Sequence, residues 1–252
     1  MKIIFDGLLV DIEGTACTPT GWLIGSGIFE TLRSENGLPY AFNRHMQRAY
    51  TSAQTLGLKL PEISFIRAAV DELLSAEPQS IGHLRISFDV SGHWAVAHLA
   101  YQSLDLAARV RLHPDAIDYG GELMKSYPYE HRLAILKEAK LLGFDEAIVY
   151  NRQGNICEGA VTNLIVNIDG AWITPPIEDG VLPGIMRELV IQNCDVKVAS
   201  LALARIDEIT SAILLSSLRI AQSIDSIEGG QLSSPAAMRT KIHAMVQDHW
   251  VD

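Results

Sequence analysis

Short apolar stretches separated by tight glycine-bearing turns recur along this chain, and they call for sheets that contain antiparallel hairpins. Asp6-Gly7 interrupts a loosely alternating stretch over residues 2–10, and Asn36-Gly37 lies between GSGIFETLR and LPYAF. Ser91-Gly92 divides HLRISFDV from HWAVAHLAY, and Asp169-Gly170 divides LIVNI from AWIT. Asn-Gly and Asp-Gly pairs reach left-handed φ values at little cost, and the turns they make match the twist of paired strands. Each pair therefore predicts an antiparallel hairpin. AIVY and ICEG flank residues 151–155 in the same manner. Along IFETLR, alternation sets Phe29, Thr31 and Arg33 on one face and Glu30 and Leu32 on the other.

Helical patterns stand between these hairpins. Asn43 reads as the N-cap of RHMQRAYTSAQTL, with Gly57 just past its end. A second helix over 61–75 places Ile66, Ala69, Val70 and Leu73 on one face. A third, over 129–142, spaces Leu133, Leu136, Ala139 and Leu142 three apart and stops at Gly143. A loop leads into a helix at about Gly184, LARIDEI reads as a short helix, and Ser234-Pro235 opens a final helix. VKVASL, SAILLSS and QSIDSIEG complete the strand candidates. Proline in His113-Pro114-Asp115 marks an extended joint, which predicts domains over 1–112 and 113–252.

A chain of 252 residues buries one large core or two modest ones. Its net charge of −10, with no Lys/Arg-rich run, makes it a poor partner for nucleic acid or an anionic membrane. Asp6, Asp11 and Glu13 interrupt the start where a signal peptide needs an unbroken apolar core. No apolar run nears the roughly 20 residues of a membrane span. Three scattered cysteines, Cys17, Cys157 and Cys194, read as reduced thiols, and a cytoplasmic location is expected. No metal site is expected.

In the stretch from Lys125 to Asn163, KSYPYEHRLAILKEAKLLGFDEAIVYNRQGNICEGAVTN, Lys125 and Glu158 read by themselves as a solvated lysine and a strand-end carboxylate, and their setting is what opens a chemical role. Lys125 precedes a helix among Tyr127 and Tyr129, and an amine set among aromatic rings is more readily held neutral and nucleophilic. Glu158 follows 33 residues later in CEGA. Further on, Gly184-Ile185-Met186 opens a helix behind a proline, where free N–H groups and the helix dipole can hold an anion.

These blocks resemble the fold-type IV pyridoxal-phosphate enzymes, the class IV aminotransferase family. That family includes branched-chain and D-amino-acid aminotransferases and aminodeoxychorismate lyase. The resemblance runs from about residue 22 to about 230, in GSGIFETLR, HMQRAYTSAQTLGL, 125–166 and VLPGIMR. It implies an α/β (α+β) architecture in two domains: an N-terminal α/β sandwich and a C-terminal barrel-like α/β domain, with the cofactor between them. It implies pyridoxal 5′-phosphate carried by Lys125, with Tyr129 in the place of the family's aromatic or arginine. Glu158 would face the pyridine nitrogen. Arg48 of His45-x-x-Arg48, Gly184, Ile185, Met186 and Ser217 would hold the phosphate, and Phe29 and Thr31 would line the substrate pocket. A homodimer acting on a small-molecule amino substrate follows from the same resemblance.

Two reactions are compatible with it. SSLRIAQSI resembles the lyase branch's N-S-L-R-G-V-x-P-V, keeping serine, leucine and arginine but replacing glycine, valine and proline. With FETLR and the short chain, this favours aminodeoxychorismate lyase, a step of folate biosynthesis, over a branched-chain or D-amino-acid aminotransferase. The replaced residues, and the absence of the arginine-glycine that often follows HLRISF in lyases, are what a non-catalytic small-molecule-binding homologue would show. Arg85 in HLRISF reads as a locally paired core-strand arginine, which leaves the carboxylate-binding group unassigned.

Overall fold

The computed structural model describes residues 1–103, 106–117 and 124–249, in two units. The first comprises residues 1–103, 124–128 and 249, and the second 106–117 and 129–248.

In the first unit, β1 (Lys2–Phe5) and β2 (Leu8–Asp11) form the Asp6-Gly7 hairpin, and β3 (Gly27–Glu35) and β4 (Leu38–Pro39) the Asn36-Gly37 hairpin. Helices α1 (Phe42–Leu56) and α2 (Ile63–Ala76) follow, then β5 (Ile81–Asp89) and β6 (Trp94–Ala100). Of the next two strands, β7 (Ala108–Leu112) lies in the second unit, whereas β8 (Ser126–Tyr127) pairs with β3 in the first. The sheet runs β2-β1-β6-β5-β3-β4, with β8 also on β3, and every pair is antiparallel. Ile28, Leu32, Leu84, Ile86, Phe88 and Val96 pack against Met46, Ala49, Ile66, Val70 and Leu73 of the two helices. Each such large side chain contributes about 1.5–3 kcal/mol by leaving water.

The second unit adds to β7 the elements α3 (Glu130–Leu141), β9 (Glu146–Tyr150), β10 (Asn155–Gly159), β11 (Asn163–Ile168) and β12 (Ala171–Thr174). Then come α4 (Ile185–Asn193), β13 (Lys197–Val198), β14 (Leu201–Ala202), β15 (Ser211–Ser216), β16 (Ile220–Ile227), β17 (Gly230–Gln231) and α5 (Ala236–Asp248). LARIDEI contains a 3-10 helix, Leu203–Glu208. The sheet order is β13-β12-β11-β15-β16-β7-β9-β10-β14, with β17 on β16. β7 runs parallel to both β16 and β9. Its core joins Val110, Ile148, Ile156, Leu164, Val166, Leu214 and Ile224.

Three sequence expectations are corrected. The division does not fall after residue 112: β7 pairs inside the second sheet, and Lys125 travels with the first unit. The proline joint lies within the second unit, where His113 N donates to Ile148 O and the Tyr150 hydroxyl to Pro114 O. Proline marks an extended backbone, but strand pairing decides which sheet that backbone joins. The cap of α1 is Ala41, in left-handed conformation, and not Asn43; the helix starts at the buried Phe42. On α3 the buried face is Arg132, Ile135 and Ala139, while Leu133 and Leu142 are exposed. Positions three apart fall back by about 60° at each step, so Leu133 and Leu142 stand on opposite sides. Among the described residues no helix is long and apolar enough to cross a membrane.

Candidate active site

Strand alternation sorts the first unit's site residues onto two faces. Phe29, Thr31 and Arg33 of β3 lie opposite Ser87, Arg85 and His83 of β5 in register. Beside them, β8 brings in Tyr127, which pairs with Gly27. Lys125 accepts at its carbonyl from Phe29 N (2.9 Å), and its Nζ lies 4.6 Å from the Phe29 ring centroid. Trp22 packs edge-on against Phe29 and tilted against Tyr127, at 4.8 and 6.2 Å between centroids. Phe29, Thr31 and Lys125 are thus brought to one aromatic face.

Arg85 belongs to the same group. Its guanidinium carbon lies 3.8 Å from the Trp22 ring centroid, Nη1 donates to Thr20 O (2.9 Å), and Nη2 is 3.4 Å from His83 Nε2. Among the described residues, its buried Nε has no hydrogen-bond partner. Burial lowers Arg85 to about 10, so it is still a cation at neutral pH. Burial, with Arg85 beside it, pushes His83 down to about 3, so His83 is a neutral acceptor. Arg85 is thus paired locally, as its place in HLRISF suggests, and keeps one buried N–H donor.

Arg48 lies on the other side, with the core. Its Nε donates to Glu30 Oε1 (2.8 Å) and Nη2 to Oε2 (2.6 Å), while His45 Nδ1 is 2.7 Å from Oε2. Burial alone would raise Glu30, but the charge of Arg48 and the bonds from His45 and Arg48 hold it down to about 2. Burial lowers His45, which keeps it neutral and donating. The signal for this cluster was present in the sequence: alternation sends a glutamate to the core face of β3, and a buried charge needs a partner.

In the second unit, the EGAVTN and VLPGIMR motifs meet through Asn163. Glu158 Oε1 accepts from Arg132 Nη2 (2.5 Å), and Oε2 accepts from Asn163 Nδ2 (2.8 Å) and Leu182 N (3.0 Å). Asn163 Nδ2 also donates to Leu182 O (2.9 Å). Gly159 has no room for a side chain, since a Cβ there would stand 2.1 Å from Thr162 Oγ1. Gly184 is equally confined: a Cβ would stand 1.8 Å from Asn163 Oδ1. Glu158, Gly184, Ile185 and Met186 are therefore parts of one assembly. No side chain caps α4, although Gly184, Ile185 and Met186 are all buried. Arg187 ties the helix down, with Nε donating to Thr174 Oγ1 (3.2 Å) and Nη2 to Pro175 O (2.8 Å).

Tyr129 occupies the N-cap position of α3. Ser217 is half-buried in the turn between β15 and β16, where Ser216 Oγ accepts from Arg219 N (3.1 Å). Arg219 pairs with the fully buried Glu146 at 3.1 Å. Ile220 stands where the lyase pattern has glycine, and it holds φ 60. The turn keeps a glycine-like backbone without the glycine.

A family model described as amino-transferase class IV matches residues 27–227. The probable branched-chain-amino-acid aminotransferase of Rickettsia typhi is 28% identical over 235 residues, covering 81% of this chain and 78% of that protein. The aminodeoxychorismate lyase of Bacillus subtilis is 24% identical over 196 residues, covering 69% and 66%. The crystal structure of the branched-chain aminotransferase from Thermoproteus uzoniensis aligns with a TM-score of 0.85 at 24% identity, covering 97% of this chain and 93% of that one. The family match takes in β3, α1, Lys125, Glu158, α4 and the Ser216–Ile220 turn, and the chain belongs to the amino-transferase class IV family of pyridoxal-phosphate enzymes.

Proposed function

We propose that this enzyme removes pyruvate from 4-amino-4-deoxychorismate to give 4-aminobenzoate. The observation that carries the reading is the aromatic face of Trp22, Phe29 and Tyr127, with Arg85 stacked on Trp22. Flat rings match aromatic walls, and a ring carboxylate matches a buried guanidinium with an unmet Nε–H. A branched aliphatic side chain would be matched by aliphatic lining instead. The retained Ser217-Leu218-Arg219 segment points the same way.

The residues present fit pyridoxal phosphate. α4 offers a buried, uncapped N-terminus to an anion, and Gly184 lacks the Cβ that would displace Asn163. In the proposed roles, the N–H groups of Ile185 and Met186, with Arg48 and Ser217, hold the phosphate. Glu158 faces the ring nitrogen, and Lys125 Nζ carries the cofactor. Tyr129 stands beside the cofactor, and Phe29 and Thr31 line the substrate's space. When bound, the cofactor supplies a carbonyl carbon for the substrate amine and a ring that accepts an electron pair. Lys125, released as a free amine, takes the proton from the amine-bearing ring carbon. Arg85 orients the substrate by its carboxylate.

A second reading, a branched-chain aminotransferase, is favoured by the name and the 28% identity of the Rickettsia relative. Acceptor dependence separates the two. The lyase forms 4-aminobenzoate and pyruvate with no keto acid present, because Lys125 recaptures the cofactor at each turnover. An aminotransferase stops after one half-reaction unless a keto acid is supplied. Fast, acceptor-dependent turnover of an amino acid with no 4-aminobenzoate would replace the first reading with the second.

A further inference from the structure

Arg132 lies outside every residue pattern assigned to the site, yet it is built into the Glu158 assembly. It sits on the buried face of α3, with Nη1 donating to Gly159 O (3.1 Å) and Ala160 O (3.4 Å) and Nη2 to Glu158 Oε1 (2.5 Å). Three acceptors fix the guanidinium, so the pair is held in one geometry. Arg187 of α4 also feels the charge of Glu158, which favours its protonated form against the effect of burial. Cys157, next along β10, is pushed up to about 12, by burial first and then by Glu158, and stays a neutral thiol. Asn163 and the Leu182 N–H supply neutral donors to the second oxygen.

We propose that Arg132 is a positioning residue that shares the Glu158 carboxylate with the cofactor's ring nitrogen, so that the nitrogen holds its proton less firmly than an unshared carboxylate would make it. The proposal rests on the reading that Glu158 faces that nitrogen. A carboxylate paired with a guanidinium is close to neutral as a unit, and a neighbouring cation disfavours a second positive charge. A ring that holds its proton less firmly accepts electrons less readily. That attenuation suits a reaction whose product is aromatic and so brings its own driving force.

The test uses pyridoxal phosphate labelled with 15N in the ring, bound to wild type, Arg132→Gln and Arg132→Lys, with the nitrogen shift followed by NMR across the neutral pH range. Wild type should titrate within that range. Arg132→Gln should raise the midpoint by about 1 unit or more, the scale of a removed neighbouring charge. Arg132→Lys, which keeps the charge, should stay nearer to wild type. A wild-type nitrogen protonated at every pH and unchanged in both variants would overturn the proposal. If Arg132→Gln does not fold, the wild-type profile decides: titration supports the proposal, and protonation throughout overturns it. Failure of the underlying reading looks different, because Glu158→Gln would then leave the nitrogen profile of the bound cofactor as it is in wild type.

Discussion

Glu30 grips Arg48 by two hydrogen bonds, Nε to Oε1 at 2.8 Å and Nη2 to Oε2 at 2.6 Å, on the face of β3 away from Phe29. The arginine proposed for the phosphate is thus also the partner of a buried carboxylate. Arg48→Ala should cost stability as well as cofactor affinity, about 3–5 kcal/mol for a buried charge left without its partner. Adding Glu30→Gln should restore most of the stability and none of the affinity. Denaturant titration and cofactor titration of the two variants check this. Equal stability of wild type and Arg48→Ala would show that the pair does not carry the fold.

Acid should destabilise the first unit in two stages. His83 is held at about 3 in the folded chain against an ordinary 6.5. The unfolded chain therefore binds this proton first, and the stability present above 6.5 is lost progressively as pH falls from 6.5 towards 3. Glu30, held at about 2 against 4.5, adds a second loss as pH falls from 4.5 towards 2. Unfolding midpoints measured across this range should fall accordingly, and His83→Gln should flatten the upper stage. A midpoint independent of pH between 6.5 and 4.5 would contradict it.

At Ile220 the usual order of small residues should be lost. An L side chain at φ 60 costs about 1–2 kcal/mol, which glycine does not incur. Ile220→Ala and Ile220→Gly both lose a buried side chain, and glycine ordinarily trails alanine by about 0.5–1 kcal/mol. Here glycine should be at least as stable as alanine, as thermal unfolding of the two variants will show. The ordinary deficit of glycine would mean that the turn relaxes and stores no strain.

Gly184 and Asn163 should behave as one unit. Gly184→Ala places a Cβ 1.8 Å from Asn163 Oδ1, so the amide must move and its bond to Glu158 must loosen. Cofactor affinity should fall by about tenfold or more, the value of one charge-assisted hydrogen bond. Removing the clash with Asn163→Ala should recover stability without recovering affinity. Full affinity in Gly184→Ala would detach the helix start from the Glu158 assembly.

Local signals were the readable part of this fold. The Asn36-Gly37 and Asp169-Gly170 turns mark real hairpins, and the Ile66–Ala69–Val70–Leu73 stripe is the buried face of α2. These features depend only on neighbours in the chain. What local pattern could not reveal is partnership across distance. Arg132 is not legible on α3, because leucines at a three-residue spacing suggest another face, whereas an arginine is buried only when a distant carboxylate receives it. Asn163 ends the EGAVTN motif, but its purpose appears only once Leu182 and Gly184 arrive beside it. The position of β7 is hidden from local pattern for the same reason, since its parallel neighbours are β9 and β16.

The central claim, that Lys125 carries the cofactor, is tested most directly by borohydride reduction of the cofactor-loaded protein, followed by proteolysis and mass spectrometry. The Lys125 Nζ stands 4.6 Å from the Phe29 ring centroid, on the aromatic face proposed for the substrate. A yellow protein is expected, with the reduced pyridoxyl group on Lys125 and with no stable pyridoxyl label in Lys125→Ala. A label on Lys137 or Lys140 of α3, or undiminished labelling of Lys125→Ala, would contradict it.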